Sequence, residues 1–205
     1  MKKALSILTA GCLAVSLAAC GSTAASSAAS AADSTASDGA TQGFKDALTE
    51  QLGDAVTFEE KNAQGDSNTC STIINGFVSD NVDLILANAT PALQAAQAGT
   101  NTIPVLGTSV TEYGVALGID DFDGLVGTNI SGTSDLAPLD EQAGIIKELF
   151  PDAKTVGLLY CSAEPNSQYQ VDTVKASLEE LGYTCEYYAF SDWPPSARAL
   201  PMPAM

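Results

Sequence analysis

The sequence predicts a parallel α/β fold, and three observations carry the prediction. From Gly43 onward, segments of strand period alternate with segments of helical period. Asp83-Leu84-Ile85-Leu86-Ala87 is a short continuous apolar run, as expected of a strand covered on both faces. Several strand-like runs end in a polar loop that leads straight into a helical pattern, the connection a right-handed crossover requires.

Taken in order, Phe44, Leu48 and Leu52 share one helical face, and Gly53 stops that helix. Val56 to Glu60 is a short strand. Asn68 or Ser71 can cap a helix that carries Ile73, Ile74, Phe77 and Val78 inward. The strand at 83–87 follows, and Thr90-Pro91 reads as the N-cap and first position of the next helix. Pro104 to Gly107 and Val126 to Ile130 are further short strands. Asp135 to Pro138 opens a helix with Leu139, Ala143, Ile146 and Leu149 inward, ended by Pro151. Thr155 to Tyr160 is a strand. Asn166 or Ser167 caps a helix bearing Val171, Val174, Leu178 and Leu181, which Gly182 closes. Thr184 to Phe190 is the last strand.

The two ends have a different character. Lys2 and Lys3 precede an apolar stretch from Ala4 to Ala18 that is too short to span a bilayer comfortably. Leu17-Ala18-Ala19-Cys20 resembles the bacterial lipobox, so residues 1–19 are expected to be a lipoprotein signal peptide and Cys20 the lipid-anchored residue. Residues 20–42 are dominated by Ala, Ser, Thr, Gly and Asp and have no large apolar side chain before the helix, so a flexible tether is expected there. Trp193 to Met205 holds the only Trp, the only Arg and four of the nine Pro. Such a segment excludes regular structure, and an out-of-frame tail over 193–205 is the expectation.

Charge and missing residue types narrow the chemistry. The chain has 8 Lys and Arg against 25 Asp and Glu, a net charge of −17. That surface repels phosphate backbones, which argues against a nucleic-acid partner. With no His, every Ser-His, Cys-His and His-metal arrangement is excluded. Asp121-Phe122-Asp123-Gly124 begins like a calcium loop, but Gly132 stands where the closing Glu belongs. Gly132-Thr133-Ser134 is not a nucleophile elbow, because Leu136 replaces the last Gly. No metal or cofactor is expected. Cys161 and Cys185 fall at opposite ends of neighbouring parallel strands, roughly 15 Å apart at about 3.3 Å per residue. That excludes a disulfide between them, so Cys70, Cys161 and Cys185 are expected as free thiols.

Three polar loops follow strands: 88–91, 107–111 and 162–167. Helix N-termini offer free N–H groups and a positive dipole end, and Thr and Ser hydroxyls add further donors. The same residues serve equally as simple caps. Anchor, tether, α/β body and strand-end loops suggest a surface-held receptor for a small solute. An exported α/β enzyme and a tethered interaction module are the alternatives, although no residue pair forms an acid–base couple.

Several motifs occur together and in order. They are Gly43-Phe44-Lys45-Asp46-Ala47-Leu48, Asn62-Ala63-Gln64-Gly65-Asp66, Ala87 to Gln94, Pro104 to Ser109, Asn129 to Asp135, and Leu158 to Ser167. From about Gly43 to Asp192 the chain resembles the ABC transporter substrate-binding lipoproteins of the tryptophan/tyrosine type. The resemblance implies a type I periplasmic-binding-protein fold, in which two three-layer α/β lobes close on a solute. It implies an amino-acid ligand, aromatic favoured, a membrane permease as partner, and no catalysis. It places Ala89, Thr90, Thr108 and Ser109 on the cleft edge of the first lobe. Ser131 and Asp135 would lie near the crossover, and Asn166 and Ser167 on the second lobe. Lobe one is expected over 43–130 and lobe two over 131–192. Both are expected to be incomplete, because relatives of this type begin with a strand and a His-Pro-Ala-Leu-Asp-like loop before the Gly43 helix. By this reading the first strand of lobe one and the C-terminal part are missing, and the chain is a solute-binding lipoprotein or a truncated, non-functional copy of one.

Overall fold

The computed structural model describes residues 26–32 and 38–191. The expected signal peptide, the anchor at Cys20 and the tail at 193–205 lie outside the described residues.

The first sheet has five parallel strands in the order β2-β1-β3-β4-β5. These are β1 (Ser26–Ala32), β2 (Val56–Asn62), β3 (Leu84–Asn88), β4 (Val105–Val110) and β5 (Ile130–Ser134). Helices α1 (Asp38–Leu52), α2 (Ser67–Ser79) and α3 (Thr90–Gly99) make the crossovers, and α4 (Tyr113–Leu117) follows β4. A second sheet pairs β6 (Thr155–Cys161) with β7 (Thr184–Phe190), also in parallel. It carries α5 (Leu139–Leu149) and α6 (Pro165–Glu180).

The largest correction concerns β1. The expected tether contains it, and the expected absence of a first strand is overturned. Ser26–Ala32 pairs with β2 along its whole length and with β3 from Ala28 to Ala31. Strand order therefore reverses around β1, and the carboxyl ends beside it form the switch point where ligands of open α/β sheets sit. A ladder is made by backbone groups, so it does not require the large apolar residues on which sequence reading depends. The tether expectation also fails at Thr41, which is buried in α1 and accepts a hydrogen bond from Asn88 Nδ2 at 3.0 Å.

Smaller shifts have local causes. Asp66, not Asn68 or Ser71, caps α2 by accepting from the Thr69 N–H at 2.6 Å. The strand expected at 126–130 starts instead at Ile130. Asn129 Nδ2 donates to the Ile103 carbonyl at 2.6 Å and the Thr100 carbonyl at 3.3 Å, which pins the chain before β5 in a loop. β5 belongs to the first sheet, so it straddles the lobe boundary expected between residues 130 and 131. Helix α5 begins at Leu139 behind Pro138, later than the expected opening at Asp135. The short α4 was not expected. Glu112 caps it, and Gly118, at φ 66°, ends it.

Two cores result. Ile74, Phe77, Ile85, Leu93, Val105 and Val110 lie fully buried between the first sheet and its helices. Ala143, Leu158, Leu178 and Tyr183 form a smaller second core. Leu158 is 7% exposed, whereas its neighbour Leu159 is 69% exposed. Adjacent strand residues point to opposite faces, so helices cover one face of the second sheet and the other is open among the described residues. Cys161 pairs with Phe190 and Cys185 with Val156, at opposite ends of the two strands, and neither they nor the buried Cys70 form a disulfide.

Candidate functional site

The expected loop 107–111 is strand up to Val110, so the loop after β3 is bound to the carboxyl end of β4 itself. The Ala89 N–H donates to the Thr108 carbonyl at 2.9 Å. Both segments are strained. Ala89 has φ 77° and ψ 160°, a conformation essentially reserved for glycine, and Ser109 has φ 55°. The first brings the chain into α3 without a side-chain cap, and Thr90 is the first residue of that helix. The second lies at the register shift between Gly107 and Val110. Ala89→Gly is expected to stabilise the fold by about 1 kcal/mol, because relief of strain exceeds the added unfolded-state entropy. Thermal melting of the purified variant checks this.

From the second sheet, α6 reaches across to these segments. Asn166 Nδ2 donates to Thr90 Oγ1 at 3.3 Å, and both residues are buried. Gln170 Nε2 donates to Thr111 Oγ1 at 3.2 Å. Two carboxylates set the geometry of these segments. Glu164 accepts the Asn166 and Ser167 backbone N–H groups and so caps α6, the role expected of Asn166 or Ser167 themselves. Glu112 does the same for Gly114 and Val115 of α4. Both of those helix starts are therefore satisfied by acidic side chains. The start of α3 alone among the three has no side-chain cap.

Beneath the site, the Tyr113 ring crosses Gly107 and Gly132, and its hydroxyl donates to the Thr133 carbonyl at 3.3 Å. Burial first, and then the nearby Asp135 carboxylate, push the phenol up to about 12. It stays protonated at neutral pH and keeps its hydrogen bond.

Of the eight residues expected to bind solute, the fold brings Ala89, Thr90, Thr108 and Asn166 together, with Ser109 next to Thr108. Ser167 is turned into its own loop, where its Oγ accepts the Cys161 N–H at 3.4 Å. Asp135 is exposed, and its N–H donates to the Val110 carbonyl. Ser131 lies opposite Leu106 in β5, before the level of Thr108, and is exposed. Thr111 and Glu164 lie in the expected loops but were not singled out there, and sequence reading missed Gln170 and Glu112. The capping role of Glu164 had a signal, since a carboxylate directly before Pro165 precedes a helix start. Gln170 had none, because its partner is 59 residues away.

Comparison with known proteins identifies the fold and the family. The family model for ABC transporter substrate binding proteins matches residues 29–192, beginning within β1. A tyrosine-binding protein from Clostridioides difficile is 38% identical over 128 residues, which are 62% of this chain and 37% of that protein. A domain from Streptococcus pneumonia, solved in complex with L-Trp, is 32% identical with a TM-score of 0.75, covering 82% of this chain and 57% of that one. A ligand-free, open substrate-binding protein with adhesive properties from Clostridium difficile is 33% identical with a TM-score of 0.62, covering 82% and 58%. The chain thus spans little more than half the length of these solved structures. Its parallel layers have the type I periplasmic-binding-protein fold. The chain belongs to the ABC transporter substrate-binding protein family.

Proposed function

We propose that this member of the ABC transporter substrate-binding family is the extracytoplasmic receptor of an importer and holds an amino acid, aromatic favoured, between its two sheets. The observation that carries the reading is the uncapped start of α3, set by a strained Ala89 and faced by a buried residue of the second sheet. The solute carboxylate sits on the first-turn N–H groups of α3, with the Thr90, Thr108 and Ser109 hydroxyls beside it. This acidic chain places no Lys or Arg among the gathered residues, so helix dipole and hydroxyls do the work that a cation would do elsewhere. Two similar proteins described by their tyrosine and L-Trp ligands support the aromatic class. The protein binds and releases without catalysis, is tethered through a lipid at Cys20, and passes its solute to a membrane permease.

Calorimetric titration of the chain with L-tyrosine, L-tryptophan and L-phenylalanine tests the reading. Saturable heat with at least one of them is expected. No heat from this chain, but clear heat from a version extended to the length of its relatives, would mark it as an incomplete copy. No heat from either would overturn the amino-acid assignment.

A further inference from the structure

Asn166 is 2% exposed, yet only half of its amide is used. Its Nδ2 donates to Thr90 Oγ1, whereas its Oδ1 is buried and has no hydrogen-bond partner. A buried amide oxygen left without a donor is costly, and such groups are few in native proteins and call for a cause such as a functional role or a bound water or ion. This one lies against the uncapped start of α3, because the other end of the same amide is bonded to the first residue of that helix.

We propose that Asn166 Oδ1 accepts a hydrogen bond from the ammonium group of the bound solute, making Asn166 the residue that selects α-amino acids over their deaminated analogues. The proposal rests on the amino-acid reading above and assigns an atom within it. A carboxylate on the first turn of α3 places the ammonium one carbon away, beside the Thr90 side chain and within reach of the amide bonded to it. The obvious charged competitor, Glu164, is already spent on the Asn166 and Ser167 N–H groups. The neutral Oδ1 is then the acceptor, and its amide nitrogen keeps it in place through Thr90. Solute binding therefore satisfies an oxygen that the empty protein leaves bare, and it does so only when the solute carries a donor at that carbon. A site built around a polar group discriminates strongly against the analogue that lacks its partner.

The test compares two matched pairs of probes on the whole chain by calorimetry. These are L-tyrosine with 3-(4-hydroxyphenyl)propanoate, and L-tryptophan with indole-3-propanoate. Wild type should prefer the amino acid in a pair that binds by about tenfold or more, the scale of a hydrogen bond to a charged group. Asn166→Ala should bring that ratio close to one. Asn166→Asp puts a charged acceptor at the same place and should raise it, so it decides the matter even if the alanine variant fails to fold. An amino-acid preference that is unchanged in Asn166→Ala, or not raised in Asn166→Asp, would overturn the proposal and leave the receptor reading intact. Failure of both this chain and its extended version to bind either amino acid would overturn the aromatic reading and this proposal together.

Discussion

Gly132→Ala is expected to cost at least about 3 kcal/mol, the upper end of overpacking penalties and a large part of the stability of an ordinary domain. A Cβ at Gly132 would lie 2.1 Å from the Tyr113 hydroxyl and 2.2 Å from the Gly107 carbonyl oxygen. The carbonyl belongs to the neighbouring strand, so no side-chain rotation relieves the clash. Gly107→Ala meets the Tyr113 hydroxyl at 2.4 Å and only ring atoms beyond it. Tyr113→Phe should therefore reduce the cost of Gly107→Ala but leave that of Gly132→Ala nearly unchanged. Gly144, in α5 with nothing within 4 Å of an added Cβ, is the control. Alanine there should stabilise by roughly 0.5–1 kcal/mol through helix propensity. Urea unfolding of the four single variants and of the two double variants that carry Tyr113→Phe measures all of these effects. Equal costs at Gly132 and Gly144 would refute the packing argument.

Thr90→Val is expected to weaken solute binding by roughly ten- to a hundredfold and to destabilise the protein by about 1–3 kcal/mol. Valine keeps the shape of the side chain but removes Oγ1. The Asn166 amide nitrogen, buried and held at present by that oxygen, then loses its acceptor. The loss acts twice, since Thr90 also begins the helix proposed to hold the solute carboxylate. Affinity by calorimetry and the melting temperature of the empty protein separate the two effects. A Val variant that binds as tightly as wild type would show that Thr90 is only part of the helix start.

The residues themselves made most of the layered architecture legible. Apolar runs such as 83–87 and the helical faces of Ile74, Phe77 and Leu178 carry periods that only strands or helices produce. The cap of α2 was misplaced because Asp66, Asn68 and Ser71 all have suitable side chains, and only the path of the chain decides between them. β5 was displaced for a similar reason. Val126 and Ile130 suit a strand equally, but the Asn129 amide binds carbonyls 26 and 29 residues earlier and fixes where pairing begins.

The sequence alone determined that this is a parallel α/β chain without histidine chemistry, whose polar strand-end loops enter helices. Periodicity and composition are local quantities and can be read without partners. Only the tertiary structure decided that Ser26–Ala32 is the strand at which the order of the first sheet reverses, and that Asn166 meets Thr90 across 76 positions of chain. A strand of small residues gains its place from hydrogen bonds to its neighbours, and a buried amide gains its partner from the approach of two sheets. Neither cause leaves a mark on the residues nearby in sequence.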